Sequence, residues 1–383
     1  MRFQSALETD GLAAIAEFKR RSPSAGDIRP GANVADVARA YAEAGAHAMS
    51  VLVDERFAGS WDDLRAARAA TPLPLLAKGF FSTAAELETA RDAGADAVLL
   101  LLRDLADAEV AALMVAARSL GLDTLVEAHD ADELARAIAL DAPVVGINAR
   151  DLSTFRIDRQ AQLRLLAHAP RDRVVIAESG IETRAQAAHA ELAGASAVLV
   201  GSTLMRAPDP GAKLRELASR PLVKICGLTR QDDVDAAVEA GADLVGFILA
   251  AESPRRAAAP LAAPDTVLRV AVFVGETEET DADLVQFYGR ENGHRARDAV
   301  LLRGAEQVGT VVDLPWGESD PAHLDRARTA SGRVMLAGGL GPGNVRAAIE
   351  RVRPWAVDSA RSTERAPGIK DHAAMRDWVE AAR

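Results

Sequence analysis

Lysine is nearly missing from this chain: forty arginines stand against five lysines, so an ammonium group occurs almost only where a guanidinium would not serve. An arginine stays protonated at any relevant pH, whereas a lysine in a partly desolvated pocket can give up its proton, which suits it to general acid work. A lysine on a helix surface needs no such explanation, and only Lys213 clearly fits that description. Cysteine occurs once, as Cys226, which excludes an internal disulfide framework and fits a reducing cytoplasm. Aromatic residues make up 4% of the chain and the net charge is -11. With no basic stripe interleaved with aromatics, a nucleic-acid surface is excluded, and any anionic ligand must be held by local groups. Long apolar runs are absent too: the longest, Val110 to Ala117, cannot span a bilayer, and Met1 to Gly11 lacks the apolar core of a secretion signal. The expectation is a cytoplasmic monomer without membrane or nucleic-acid partners.

What is present is repetition. The 383 residues allow two domains, each with its own core. Up to about residue 202, short apolar runs alternate with stretches of helical period, as in repeated βαβ units. The runs are Ala14 to Phe18, Ala48 to Val53, Leu75 to Ala77, Ala97 to Leu102, Thr124 to Val126, Val144 to Ile147, Val174 to Ala177 and Ala197 to Val200. Between them, segments such as Val34 to Ala44 and Thr83 to Ala93 read as helices. Eight such units predict an α/β fold of the (β/α)8 TIM-barrel type over residues 1–218. After a short linker near Leu217 to Pro221, eight more runs follow in 221–383, from Val223 to Cys226 through Trp355 to Val357. Their spacing is irregular, and the gap between Leu302 and Gly309 leaves no room for a crossover helix. The second unit therefore reads as a shortened, irregular barrel in tandem with the first: either some runs lie outside the barrel, or loops replace several helices.

Polar residues gather directly beyond the apolar part of the first eight runs: Lys19, Asp54, Lys78, Arg103, Glu127, Asn148, Glu178 with Ser179, and Gly201 with Ser202. In a parallel barrel these positions meet at the C-terminal mouth, where active sites lie. Entry into solvent accounts for Asp54 and Arg103. It accounts poorly for Lys19, Lys78 and Glu127, because unpaired charges are rarely buried. Glu17 and Lys19 share one strand face, and the Ser22-Pro23-Ser24 turn offers donors to an anion. Glu178-Ser179-Gly180 and Gly201-Ser202 end the seventh and eighth runs, the usual phosphate site of this architecture. Lys78 and Glu127 stand as a candidate acid and base in one pocket. His129 has no second ligand at metal spacing and reads as a satisfied polar residue.

These residues lie in motifs that together resemble the indole-3-glycerol phosphate synthase family over residues 1–218: Glu17-Phe18-Lys19, Phe57-Ala58-Gly59-Ser60, Leu76-Ala77-Lys78-Gly79-Phe80, Leu125-Val126-Glu127-Ala128, Gly146-Ile147-Asn148-Ala149-Arg150-Asp151-Leu152, Ala177-Glu178-Ser179-Gly180 and Gly201-Ser202-Thr203-Leu204-Met205. The resemblance implies closure of a carboxyphenylamino-deoxyribulose phosphate to the indole, with loss of carbon dioxide and water and no metal or organic cofactor. It implies Lys78 as general acid, Glu127 as general base and Lys19 as the holder of the substrate carboxylate. Glu17, Asn148, Glu178 and Ser179 would support them, while Ser22, Arg150, Gly180, Gly201 and Ser202 would bind substrate and its phosphate. Two departures stand out: only a stub precedes Leu12, and Gly79 replaces an aspartate beside the acid.

The second half opens with Lys224-Ile225-Cys226-Gly227-Leu228-Thr229. It continues through Ser253-Pro254-Arg255, Gln286-Phe287-Tyr288-Gly289, Val312-Asp313, Leu336-Ala337-Gly338-Gly339, Val357-Asp358 and Pro367-Gly368-Ile369-Lys370-Asp371. It resembles the phosphoribosylanthranilate isomerases, which carry out the preceding reaction. The resemblance implies Cys226 and Asp313 as base and acid, Arg255 on the substrate carboxylate, and Gly338, Gly339 and Asp358 in the phosphate region. Departures are heavier here, since Tyr288 stands where the family has histidine, and the turn after Asp358 is altered. The expectation is a bifunctional enzyme of tryptophan biosynthesis acting on phosphorylated small molecules. Its rivals are a synthase with a non-catalytic stabilising second barrel, and a different phosphate-binding barrel such as a sugar isomerase.

Overall fold

Alternate side chains of the first eight strands face two environments, and this alternation builds the site. The computed structural model describes residues 1–23, 26–151, 154–315 and 317–383; Ser24 and Leu152, members of two sequence motifs, lie outside them. The strands are β1 (Ala13–Phe18), β2 (Ala48–Leu52), β3 (Leu75–Lys78), β4 (Ala97–Leu101), β5 (Asp123–Ala128), β6 (Val144–Asn148), β7 (Val174–Glu178) and β8 (Ala197–Val200). They close into a parallel barrel in chain order, with β1 pairing both β2 and β8. Ala14, Ala16, Ala77, Val126 and Ala177 face outward into the apolar layer shared with the helices, while Ile15, Leu76, Leu125, Ile176 and Leu199 face inward. A strand repeats every two residues, so the inward columns continue to Glu17, Lys78, Glu127, Asn148, Glu178 and Gly201 at the mouth.

The helices start on local signals. Asn33, Ser60, Thr83, Asp130 and Asp158 each accept a first-turn backbone N–H, satisfying donors that a helix cannot pair itself. The stub before the first strand is itself a helix, Arg2–Leu7. Its Phe3 and Leu7 complete the inner apolar cluster, and Asp123 accepts the N–H groups of Phe3 and Gln4 at 3.0 and 3.2 Å. That carboxylate sits at the start of β5, so the helix seals the end of the barrel opposite the mouth.

Chain contacts divide the molecule into two compact units, Met1–Glu182 with Ala187–Ala218, and Ser219–Arg383 with Thr183–Gln186. The second holds β9 (Leu222–Cys226), β10 (Leu244–Ile248), β11 (Leu268–Val274), β12 (Leu284–Tyr288), β13 (Ala299–Arg303), β14 (Glu306–Val312), β15 (Val334–Leu336) and β16 (Ala356–Ser359), again closed in chain order. All eight expected runs are barrel strands. Shortening comes instead from lost crossovers: among the described residues, no helix lies between β10 and β14. One feature departs from the parallel pattern expected, because β13 runs antiparallel to both β12 and β14. Only Gly304 and Ala305 join β13 to β14, and so short a link can connect antiparallel strands alone. The β12–β13–β14 path is therefore an up-down-up meander, and residues 289–298 cross at the mouth end. There Arg290–Glu291 pairs with His294–Arg295 around left-handed Asn292 and Gly293, a two-residue hairpin turn.

Candidate active sites

At the mouth of the first barrel the inward columns end in a buried cluster of charges. Lys78 Nζ lies 2.6 Å from Glu178 Oε2, 3.5 Å from Glu17 Oε2 and 3.9 Å from Glu127 Oε2. Lys19 Nζ is 2.7 Å from Glu17 Oε1, and His129 Nε2 is 3.1 Å from Glu127 Oε1. Asn148 Nδ2 donates to Glu127 Oε1 at 3.0 Å, while its Oδ1 accepts the Arg150 N–H at 2.9 Å. Two glycines make room for the acids: a Cβ on Gly146 would stand 2.2 Å from Glu178 Oε1, and one on Gly201 would stand 2.3 Å from Glu17 Oε1.

Burial would strip Lys78 of its proton, but Glu178, Glu17 and Glu127 outweigh it and hold the ammonium charged. The sequence reading expected a lysine able to give up its proton through desolvation; here its acidity is set against three carboxylates instead. The acids themselves are driven apart. Burial opposes ionisation of Glu127, yet His129, Lys78 and Asn148 hold its carboxyl well below the usual range. For Glu178, burial and the Glu127 charge win, and its carboxyl is pushed up. Two carboxylates with opposite shifts around one lysine are a pattern suited to separate acid and base roles.

The cluster floors a cavity of about 410 Å³, which Ser22, Arg150, Ser179, Gly180, Gly201 and Ser202 also border. The site residues expected in the first half thus meet at one opening, except Glu178, which is fully buried and reaches the site through Lys78. Ser179 and Gly180 are consecutive left-handed residues, φ 69° and 73°. A left-handed serine costs roughly 1–3 kcal/mol, a strain typical of sites where backbone is aimed at a ligand. Phe57, Phe80, Phe155 and Ile157 supply an apolar wall. Arg206 also lines the cavity and was not foreseen, nor was His129 as a partner of Glu127.

In the second barrel Val223 and Ile225 pack outward, so Lys224 and Cys226 turn inward. Lys224, with no exposed side-chain surface, donates to Gln286 Oε1 at 2.7 Å and to Asp358 Oδ2 at 3.0 Å. Gln286 Nε2 donates to the Tyr288 hydroxyl at 2.7 Å, and that hydroxyl donates to Asp313 Oδ2 at 2.9 Å. A hydrogen-bonded chain thus joins the barrel centre to the expected acid. Burial pushes the Cys226 thiol up, against the pull of neighbouring Lys224. Arg295 NH1 reaches the same Asp313 oxygen at 3.1 Å. Gly338 and Gly339, both left-handed, turn the loop after β15, and Ser359 Oγ donates to the Leu340 carbonyl of that loop at 3.0 Å.

Two of the expected residues are held by partners within the chain. Arg255, expected on a substrate carboxylate, gives its Nε and a terminal nitrogen to Glu364. Asp358, expected near phosphate, turns its carboxylate inward to Lys224, where it would not attract an anion. Lys370, left without a role in the sequence reading, is fully buried and donates to the carbonyls of Cys226 and Ala360 at 2.6 and 2.8 Å. The scarcity of lysine was the signal that could have marked Lys224 and Lys370. Among the described residues, no group of three or more His, Cys, Asp or Glu could hold a metal ion, and no helix is long and apolar enough to cross a membrane.

Fold and site together define a (β/α)8-barrel enzyme with a charged lysine held among carboxylates at the mouth of its first barrel. The chain belongs to the indole-3-glycerol phosphate synthase family, whose sequence profile matches residues 1–217. The profile of the N-(5'phosphoribosyl)anthranilate isomerases matches residues 291–381. Indole-3-glycerol phosphate synthase of Albidiferax ferrireducens is 48% identical over 206 residues, 54% of this chain and 78% of that protein. Indole-3-glycerol phosphate synthase 2 of Streptomyces coelicolor is 46% identical over 216 residues, 56% of this chain and 84% of that protein. The solved phosphoribosyl anthranilate isomerase of Thermotoga maritima is 27% identical, covering 43% of this chain and 98% of its own, with a TM-score of 0.33.

Proposed function

We propose that this chain catalyses two consecutive steps of tryptophan biosynthesis. Residues 221–383 isomerise N-(5-phosphoribosyl)anthranilate to 1-(2-carboxyphenylamino)-1-deoxyribulose 5-phosphate, and residues 1–218 close that product to indole-3-glycerol phosphate. Family matches in both halves support two activities over a synthase with an inert partner. The observation that carries the synthase assignment is the Lys78 ammonium, within 4 Å of three buried carboxylates at the floor of the cavity.

In the synthase step the substrate phosphate lies against Ser22, Ser179-Gly180 and Gly201-Ser202, with Arg150 beside it. The carboxyphenyl ring rests on the apolar wall, and Lys19 holds its carboxylate. The ring carbon bearing that carboxylate attacks the ketose carbonyl, and Lys78 donates a proton to the oxygen as negative charge develops there. Departure of carbon dioxide restores the aromatic ring. Lys78, reprotonated from solvent, then gives a second proton to the new hydroxyl, which leaves as water, and Glu127, held ionised by His129, takes the proton released from the carbon beside nitrogen. Glu17, Asn148 and Glu178 orient these groups.

In the isomerase step Asp313 protonates the sugar-ring oxygen, so that the ring opens to an imine at the carbon bearing nitrogen. Cys226, as thiolate, takes the proton from the next carbon, and the resulting enolamine regains a proton at the carbon bearing nitrogen to give the ketose. Glycine-turned backbone at Gly338 and Gly339 supports the phosphate. Assaying the intact chain with each substrate tests the reading. Cys226→Ala should abolish isomerisation and spare indole formation. Absence of isomerisation in the unaltered chain would leave the synthase with an inert partner.

A further inference from the structure

The hydrogen bonds that run from the centre of the second barrel to Asp313 have a fixed direction. Lys224 begins them, and an ammonium can only donate. Burial works against its charge, but Asp358 beside it outweighs the burial and keeps it protonated. Gln286, buried on β12, must therefore turn its carbonyl oxygen to Lys224 at 2.7 Å, which leaves its amide nitrogen facing the Tyr288 hydroxyl, also at 2.7 Å. That nitrogen is a donor, so the hydroxyl must accept from it and send its own proton the other way, to Asp313 Oδ2 at 2.9 Å. Burial and the Asp313 charge hold the phenol well above its usual pKa of 10, so the proton is in place at every working pH. Arg295 NH1 meets the same carboxylate oxygen, and the Leu314 N–H meets Oδ1 at 2.8 Å.

We propose that Tyr288 is a positioning residue for the acid of the isomerisation step: its hydroxyl, aimed by Lys224 and Gln286, holds the carboxylate that is left when Asp313 has given its proton to the sugar oxygen. This rests on the isomerase reading of the second half. Proton transfer turns a neutral carboxyl into a carboxylate, and a donor already in place stabilises that charge as it forms, with no reorganisation. The histidine expected here from the resemblance offers the same polarity only while its ring is neutral. Below about pH 6.5 both ring nitrogens donate, and one of them then opposes the Gln286 amide; a hydroxyl keeps its polarity throughout. Other charged groups also face Asp313. Arg295 bonds its carboxylate, Asp298 its N–H and Arg326 its carbonyl, while Asp358 and Arg361 lie within electrostatic reach. All of them stay when only the tyrosine oxygen is removed, and Arg295, 4.1 Å from the ring centre, stacks equally on phenylalanine.

Tyr288→Phe in the full chain makes that removal. The isomerase kcat should fall about tenfold or more, the effect of losing a hydrogen bond to a charged group, while KM changes less than about threefold. Asp313 becomes a weaker acid once a donor to its ionised form is gone, so one inflection of the isomerase pH profile should move up and the other stay. Gln286→Glu is the second variant. A carboxylate still accepts from Lys224 but cannot donate to the hydroxyl, so it draws the tyrosine proton away from Asp313, and kcat should fall as in Tyr288→Phe. In the double variant the two losses should not add, because both act through one proton. Indole formation should be unchanged in all three. An unchanged kcat in Tyr288→Phe, a fall with an unmoved pH profile, or additive losses in the double variant each overturn the assignment while leaving the isomerase reading intact. An unaltered chain that turns over no substrate removes both at once.

Discussion

Each barrel holds a lysine bonded to a carboxylate, Lys78 to Glu178 and Lys224 to Asp358, but at different heights. Lys78 is the last residue of its strand and keeps 14% of its side chain exposed to the cavity; Lys224 lies two residues before its strand ends and keeps none. One turn of the two-residue strand repeat therefore separates a cation that can meet a substrate from one that cannot. Lys224 takes the place of an apolar plug: it bonds Asp358 and Gln286 across the interior, tying β9 to β16 and β12. On the reading proposed above, the acid and base of the second barrel sit at the strand ends, Cys226 one step up the same column, and the lysine holds the walls together.

Matched substitutions sharpen that contrast. Lys78→Met should lower indole formation by about 10²–10⁴-fold, the range for loss of a general acid, with isomerisation unchanged. Initial rates with each substrate decide it, and parallel loss of both would mean that the sites are not independent. Lys224→Met should act on stability first. It strands the Asp358 carboxylate inside the barrel, and breaking a buried pair costs about 3–5 kcal/mol. Denaturant unfolding followed by isomerase activity should show the loss, while synthase activity persists to higher denaturant. Gly146→Ala comes next. Its methyl would stand 2.2 Å from Glu178 Oε1, so the acid must move off Lys78. Indole formation should fall about 10–100-fold with phosphate affinity little altered, a displacement of the size that costs about two orders of magnitude.

The difference between the barrels also marks what a sequence can reveal. The period of two that places Glu17, Lys78, Glu127 and Glu178 on inward columns is a local property, and all sixteen strand runs were legible from it together with the motifs. Direction was not. A strand buried in a sheet has the same alternation whichever way it runs, so reversal of β13 left only two traces: the two-residue link at Gly304 and Ala305, and the Asn292-Gly293 turn. Partnerships across long separations were hidden as well. Arg255 and Glu364 lie 109 residues apart, and nothing near either one announces the pair. The motif supplies an arginine, and only its neighbour in space shows that it also pairs with Glu364.

The smallest effect concerns His129, which ties the acid–base asymmetry of the first barrel to pH. Burial would lower its pKa, but Glu127 and Glu133 on either side of the ring raise it from 6.5 to about 9. Since the folded value lies above the unfolded one, the stabilisation is complete below about pH 6.5 and is lost as pH rises through about 9. Its full size is on the order of 1–3 kcal/mol. Glu127 gives no opposing trend in that window, because its carboxyl is held below the usual range and is already ionised. His129→Gln should therefore be less stable than the unaltered chain at pH 6, with the gap closing by pH 10, in denaturant unfolding followed through synthase activity. A gap of constant size across that range would mean that the imidazole is neutral between its two carboxylates, and that Glu127 owes its ionisation to Lys78 and Asn148 alone.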